Sequence, residues 1–271
     1  MLSAKDKKGI VLIVVVAMLF VAILILQSVI GNKPKAGYDN CVGDIVANTV
    51  IVLDYTDQIN DQTRNEISVR AMEYVRNKVK VNERVSIFVI SDQSKKSLTP
   101  LVSLCKPPDE GNRIVENVSL IQKRFHQNFE KPIHDILLSS PSDSKESPIA
   151  QVITDLSLSQ YLRGSSNTLL VFSDMLEHTA KFSLYKCSAA ARVITNYRES
   201  RIGALERPIF KNVNVKLNLV PRLDQTKDML KCRDIFWPWF FGNNQGPNAL
   251  LNIDYLPGGT PMGSISSGVK K

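Results

Sequence analysis

Apolar runs of strand length alternate along this chain with apolar residues at helical spacing. The runs at 49–53, 85–90 and 169–172 are continuous and largely β-branched or leucine, which is typical of strands buried on both faces. A patch at 101–105 and an alternating segment at 213–219 indicate two further strands. Helical stripes fall between these runs: Ile67, Ala71, Val75 and Val79; Val118, Ile121, Phe125 and Phe129, broken near Pro132; and Ile149, Val152, Ile153 and Leu156. The alternation predicts an α/β fold with a doubly wound, mostly parallel sheet.

Oxygen-bearing side chains follow the predicted strands. Asp54 and Thr56 come directly after the first strand, and Asp174 comes after a later one. Ser147 and Pro148 open a helix, with the serine expected as its N-cap and the proline at its first position. Sites in such sheets lie beyond the carboxyl ends of the strands, so these side chains are expected to converge. Carboxylates and hydroxyls suit a hard divalent cation.

This set of loops resembles the metal-ion-dependent adhesion site of von Willebrand factor A domains, over about residues 45–240. Asp54 and Thr56 match the first two positions of its D-x-S-x-S motif, Ser147 matches the threonine of the second loop, and Asp174 matches the aspartate of the third. The resemblance implies a Mg²⁺ ion, or Mn²⁺ or Ca²⁺, whose coordination an acidic side chain of a partner protein would complete.

The same loops depart from the family's pattern at one position. Gln58 stands where the motif has a serine, and Asp57 is an additional carboxylate, so both are further candidate ligands. Asp57, Glu177 and His178 are the residues expected to meet the partner. Several segments are also similar to a group of single-pass bacterial membrane proteins that carry this domain: 53–57, 103–105, 147–149 and 172–176.

The resemblance also bears on the cysteines. In a von Willebrand A sheet the third strand is an antiparallel edge strand, so Cys105 at its end would lie at the edge where the segment holding Cys41 enters the first strand. This implies a Cys41–Cys105 disulfide in an oxidising compartment. Cys187 and Cys232 are expected on later helices, and the sequence gives no geometric reason to pair them.

The first 31 residues predict a membrane anchor. Ile10 to Leu26 is unbroken apolar sequence, and 9–31 is free of charge over 23 residues, where about 20 helical residues cross a bilayer. The run is longer than the apolar region of a signal peptide and no A-x-A cleavage site follows it. Lysines before it favour a cytoplasmic N-terminus, with the large domain periplasmic or extracellular, anchored in the cell inner membrane.

The net charge of +8 is concentrated at the two ends of the chain. Residues 1–35 carry +4 and the two terminal lysines +2, which leaves +2 over the remaining 234 residues. A basic face for nucleic acid is therefore not expected. The predicted organisation has five parts: 1–8, a basic segment; 9–31, the transmembrane helix in the lipid bilayer; 32–48, a linker; 49–241, the α/β domain; and 242–271, an extension with a disordered tail.

Two other functions are compatible with these residues. A metal-independent scaffold of the same fold would use the strand-end loops for shape recognition alone. A Mg²⁺-dependent phosphohydrolase would use Asp54 as its nucleophile, but such enzymes need an acid two residues later, where this chain has Thr56. The aromatic cluster 236–241 is expected to cap the core, or to face lipid or a partner, with Pro238 breaking the helix. The sequence favours a membrane-tethered interaction module over an enzyme.

Overall fold

The computed structural model describes residues 4–31, 37–56, 59–91, 98–111, 116–139, 144–222, 225–243 and 251–257, with side chains in the first helix described at 9 and 12–25. The chain divides into two compact units, residues 1–37 and 38–271. The first contains helix α1, Ala4–Gly31. Its described apolar side chains, such as Leu12, Phe20 and Ile25, are exposed. Among the residues the structure describes, none of the helices has the length and apolar character needed to cross a bilayer.

The second unit is built around a six-stranded sheet in the order β3-β2-β1-β4-β5-β6. All neighbouring strands are parallel except β2 and β3, which are antiparallel. The strands are β1 Asn48–Asp54, β2 Arg84–Ile90, β3 Val102–Cys105, β4 Asn167–Ser173, β5 Val213–Leu219 and β6 Leu251–Tyr255. The helices are α2 Asp61–Asn77, α3 Val118–Phe125, α4 Lys131–Leu137, α5 Ile149–Leu158, α6 Val193–Ser200 and α7 Lys227–Phe240. The predicted doubly wound, mostly parallel α/β fold is confirmed.

Strand β1 is buried along its whole length because helices cover both of its faces. Ile51 and Leu53 face a core formed with α2, α3 and α4, whereas Val50 and Val52 face a core formed with α5, α6 and α7. The period of two along a strand produces this division. Burial on both faces therefore explains the continuous apolar run at 49–53, as expected for a central parallel strand.

The predicted break near Pro132 is wrong, because the helix continues from α3 through a π-helical turn, His126–Glu130, into α4. Proline has no N–H to donate to the carbonyl of Asn128, four residues before it. That carbonyl instead accepts a hydrogen bond from Asn40 Nδ2 at 3.0 Å. The predicted break at Pro238 is also wrong, since α7 runs through that residue.

The sheet extends beyond the predicted domain end at 241, because β6 adds a parallel strand next to β5. The tail from 258 onward lies outside the described residues. At the other end, the predicted linker 32–48 is partly ordered against the sheet: Asn82 Oδ1 accepts from Val42 N at 2.8 Å, and Asn82 Nδ2 donates to Val42 O at 2.7 Å. The segment of 38–47 is thus part of the folded unit.

Two disulfides close the second unit. Cys41 and Cys105 are bonded, with their Cα atoms 4.9 Å apart, which confirms the predicted pair. Cys105 ends β3 opposite Arg84, the first residue of β2, so the bond lies at the amino edge of the parallel strands. A second disulfide joins Cys187 to Cys232. Cys232 lies on α7, but Cys187 lies in the loop before α6 rather than on a helix as expected.

The aromatic cluster 236–241, at the end of α7, packs onto the core as a cap. Phe236, Trp237, Phe240 and Phe241 are buried. Trp239 is the partly exposed member, and the guanidinium groups of Arg198 and Arg207 both contact its ring, at 5.3 and 5.1 Å from the ring centre. The interpretation as a core cap is confirmed for the four buried rings.

Candidate functional site

The carboxylate of Asp54 lies at the end of β1 within a cage of hydroxyl groups. Its Oδ1 accepts from Thr56 Oγ1 at 2.7 Å, and its Oδ2 accepts from Ser147 Oγ at 3.1 Å and from Ser173 Oγ at 2.6 Å. The backbone N–H of Thr56 is 3.4 Å from Oδ1. Strands β1 and β4 are parallel neighbours with Leu53 opposite Phe172, so their next residues, Asp54 and Ser173, meet at the same edge.

The charge of Asp54 has no counter-ion among the described residues. The residue is 7 % exposed, and this burial raises the pKa of its carboxyl group above the ordinary value. The hydrogen bonds from Ser173, Thr56 and Ser147 act in the opposite direction because they stabilise the charged form. Neutral donors thus offset part of the desolvation cost and supply no positive charge.

Ser147 has a different role from the predicted N-cap. Pro148 is the residue that precedes α5, and the Ser147 hydroxyl points to Asp54 instead. The backbone of Ser147 pairs with that of His178 through hydrogen bonds of 2.7 and 3.0 Å, which fixes the second loop against the third. The expected cap is replaced by Glu177, whose Oε2 accepts from the Ala150 N–H at 2.7 Å. An acidic group at this end of a helix is favourable because of the exposed N–H groups there.

This position corrects the expectation that Glu177 meets a partner. Its side chain is almost completely buried, since the residue is 3 % exposed, and its carboxylate binds the first turn of α5. His178 remains at the surface of the site, with Nδ1 2.8 Å from Ser183 Oγ and its ring packed edge-on against Tyr185. Asp57 and Gln58, the further candidate ligands, lie outside the described residues.

Asp174 is held by contacts of another kind. Its Oδ1 accepts from the backbone of Leu176 at 2.9 Å, and its Oδ2 lies 3.1 Å from Arg222 Nη1 and 3.4 Å from the Tyr185 hydroxyl. Arg222 also donates to that hydroxyl and lies over the Tyr185 ring, 5.3 Å from its centre. Asp174 is buried, whereas the side chain of Arg222 is 21 % exposed. The charge of this aspartate is therefore compensated within the chain.

The loop after β4 is fixed by its own side chains. Ser173 Oγ accepts from Met175 N at 2.7 Å, and Met175 has a positive φ of 58°, an uncommon conformation for a residue other than glycine. The indole N–H of Trp237 donates to Met175 O at 2.7 Å. The aromatic cap on α7 therefore supports the turn that carries Asp174.

A cavity of about 300 Å³ opens above the Asp54 cage. It is lined by Thr56, Ser144, Lys145, Glu146, Ser147, His178 and Tyr185. Two of the predicted ligands and the predicted partner-binding histidine thus share one concave surface at the carboxyl edge of the sheet. Sequence reasoning missed Ser173, Tyr185 and Arg222 at this site. Ser173 immediately precedes Asp174 at the end of a predicted strand, and that position was a usable signal.

The sequence matches no family model and no curated protein. Among solved structures, the chain is similar to the human COPII-coat protein Sec24c, with 12 % identity over 82 % of this chain and 31 % of that chain, and a TM-score of 0.42. It is also similar to proximal thread matrix protein 1 from the mussel byssus, with a zinc-occupied MIDAS motif, at 9 % identity, 72 % and 43 % coverage and a TM-score of 0.36.

A third similar structure is an aerotolerance-related membrane protein from Bacteroides fragilis. It shares 12 % identity over 78 % of this chain and 90 % of that chain, with a TM-score of 0.35. The chain spans less than half the length of the first two structures.

The donor set at the first two loops fits a divalent cation. Asp54, Thr56 and Ser147 supply one carboxylate and two hydroxyls, which are oxygen ligands of the kind that Mg²⁺, Mn²⁺ and Ca²⁺ accept. The described residues contain no group of three or more His, Cys, Asp or Glu side chains suited to a metal. The third loop fits less well, because Arg222 already lies against Asp174.

Proposed function

We propose that this chain is a membrane-tethered protein-interaction module that binds its partner through the loops at the carboxyl edge of the sheet. The observation that supports the proposal is the cavity above the Asp54 cage, bordered by Thr56, Ser147 and His178. Loops held on a rigid sheet edge are common positions for binding residues. The lining combines hydroxyls, a lysine, a glutamate and a histidine, so it suits a polar segment of a partner.

The proposal assigns a divalent cation, Mg²⁺ or alternatively Mn²⁺ or Ca²⁺, to Asp54, Thr56 and Ser147. A buried carboxylate surrounded only by neutral donors has an uncompensated charge, and a bound cation would remove that cost. The cation would attract an acidic side chain of the partner to the cavity. The residues of this chain would orient that group, and His178 and Tyr185 also line the cavity.

A metal-independent scaffold is the second candidate, and the Asp174–Arg222 pair is the observation that favours it. Arg222 Nη1 lies 3.1 Å from Asp174 Oδ2, so the third loop is already neutralised by a group of the chain itself. In this form of the proposal the cavity recognises its partner by shape and hydrogen bonding, and the hydroxyl cage alone holds Asp54.

Thermal unfolding of the full chain distinguishes the two candidates. A cation that binds only the folded protein stabilises it by about 2.7 kcal/mol at a hundredfold excess over its dissociation constant. Millimolar Mg²⁺ or Mn²⁺ is therefore expected to raise the melting temperature of the native chain and to leave that of the Asp54→Ala variant unchanged. An Asp155→Ala variant, on the outer part of α5, is the control that retains the shift.

Partner capture from solubilised membranes supplies the second readout. If the site binds a cation, we expect partner capture to be abolished both by a chelator and by the Asp54→Ala substitution. Capture that resists chelator but is lost in Tyr185→Ala supports the scaffold without metal. Capture that survives chelator, Asp54→Ala and Tyr185→Ala contradicts the interaction site itself.

The tether is assigned to residues 9–31, a longer stretch of sequence than the side chains described at 9 and 12–25. Its support is the uncharged apolar sequence, together with the exposed apolar side chains that α1 carries from Leu12 to Ile25. A Leu19→Arg substitution would place a charge at the middle of the span, at a cost of roughly 3 kcal/mol. The native chain is expected to stay with membranes through an alkaline wash, and Leu19→Arg to be partly released.

Ile202→Arg is the control, because Ile202 is an exposed apolar residue of the second unit, and this variant should remain with the membranes. A mature chain that begins after Ile30 would contradict the retained tether.

A further inference from the structure

A second cavity, of about 230 Å³, lies between α7 and the edge of the sheet formed by β5 and β6. Its walls are largely apolar: Leu217, Leu219, Trp237, Pro238, Ile253 and Tyr255. Arg233 and Asp234, from the same helix, also line it. Tyr255 is 64 % exposed and Ile253 39 %, so these two residues form the open rim, whereas Leu217 and Trp237 form the buried wall.

Arg233 is an unusual residue for such a wall. It is only 5 % exposed, and its Nε donates to Asp234 Oδ1 at 3.0 Å. Within the described residues its two terminal nitrogens donate no hydrogen bond. The side chain of Asp234 is 55 % exposed, so water weakens the compensation that this carboxylate provides. The terminal nitrogens are not among the fully buried polar atoms that lack a partner within the described residues, so solvent reaches them. A largely buried arginine therefore presents accessible donors beside an apolar cavity.

We infer that this cavity binds a carboxylate carried on a short apolar group. A guanidinium presents paired N–H donors in a plane that matches the two oxygens of a carboxylate, and it does so best where water is excluded. The apolar walls would cover the rest of the ligand. If each non-hydrogen atom takes the space of one water molecule in the liquid, about 30 Å³, the cavity holds a ligand of about eight such atoms.

Two sources can present this chemistry: a free small carboxylic acid, or the C-terminal residue of a peptide with an apolar side chain. The site is separate from the cavity above Asp54 and uses none of its lining residues. The inference therefore stands or fails independently of the proposed partner site.

Equilibrium binding of benzoate and benzamide to the full chain in nanodiscs tests the inference. The two molecules have the same shape and size and differ in charge. Benzoate is expected to bind at least tenfold more tightly, because a hydrogen bond to a charged group contributes about 1.5–3 kcal/mol. A peptide ending in leucine and its C-terminal amide form the second arm. Preference for benzoate alone indicates a free acid, whereas preference for the peptide acid over its amide indicates a partner's C-terminus.

The variants separate charge from space. Arg233→Gln is expected to lower benzoate affinity by at least tenfold and to remove the preference over benzamide. Ile253→Trp keeps the charge, fills the opening and should abolish binding of both. Arg70→Gln, on α2, removes a partly exposed arginine paired with Glu66 and should leave binding unchanged.

If Arg233→Gln does not fold, as judged by its melting curve, the native chain and Ile253→Trp still decide the matter. Equal affinity for the charged and neutral members of both pairs overturns the inference. So does benzoate binding that persists in Ile253→Trp.

Discussion

Asp54 ends β1 and Asp174 follows the neighbouring parallel strand β4, and the two residues are equally buried, yet the fold stabilises their charges in different ways. Asp54 is surrounded by the hydroxyls of Thr56, Ser147 and Ser173. Asp174 is paired with the guanidinium of Arg222. Hydroxyl dipoles can reorient toward a new charge, whereas an ion pair must be broken to admit one. Asp54 can therefore accept a bound cation without the loss of an ion pair. Asp174 can accept one only if Arg222 moves away from it.

The largest effect is expected when the ion pair is broken. Arg222→Met keeps the apolar stem but removes the guanidinium that pairs with the carboxylate of Asp174. The free energy of unfolding of the full chain should fall by about 3 kcal/mol, the usual cost of removing one partner of a buried ion pair. Denaturant titration measures it, and adding Asp174→Asn should restore more than half of the loss.

Arg70→Met is the matched control, since the Arg70–Glu66 pair lies on the surface of α2 with each side chain 32 % exposed. Surface pairs contribute at most about 1 kcal/mol. If Arg222→Met and Arg70→Met cost the same, Asp174 does not depend on its ion pair, and the contrast with Asp54 fails.

Smaller losses of stability are expected when single hydroxyls around Asp54 are removed, and the two serines should differ. Ser173→Ala removes the 2.6 Å hydrogen bond to Asp54 and also the acceptor of Met175 N–H, so about 2 kcal/mol of stability should be lost. Ser147→Ala removes one bond of 3.1 Å beside the cavity, where water can take its place, and should cost about 1 kcal/mol or less. A larger loss of stability for Ser147→Ala than for Ser173→Ala, in thermal or denaturant unfolding, would contradict this ranking of the two hydrogen bonds.

The sequence was sufficient for the parts of the fold that depend on local pattern. The buried runs predicted β1, β2 and β4, because a strand covered on both faces must be apolar throughout. Asp54 and Asp174 could be placed at one edge because parallel strands end at a common edge, and sites in such sheets lie beyond that edge, where the helix start at Ser147 was also expected. The short strand β6 was missed, since five residues with one apolar alternation hardly differ from a loop.

The remaining errors have tertiary causes. Pro132 was expected to end a helix, but a side chain from the segment before β1 takes up the carbonyl that the proline leaves free. Arg222 lies 48 residues from Asp174, and no periodicity connects the two. The Cys187–Cys232 bond likewise depends on the path of the loop after β4, which local sequence does not determine.

The Cys41–Cys105 disulfide determines how the sheet would carry mechanical load. A pull on the chain ahead of Cys41 reaches the domain at the amino edge, and the bond divides it between the segment leading to β1 and the end of β3. A partner held at the carboxyl edge would pull from the opposite end. The tension would then run along the strands, so the hydrogen bonds of β1 to both β2 and β4 would resist together in shear.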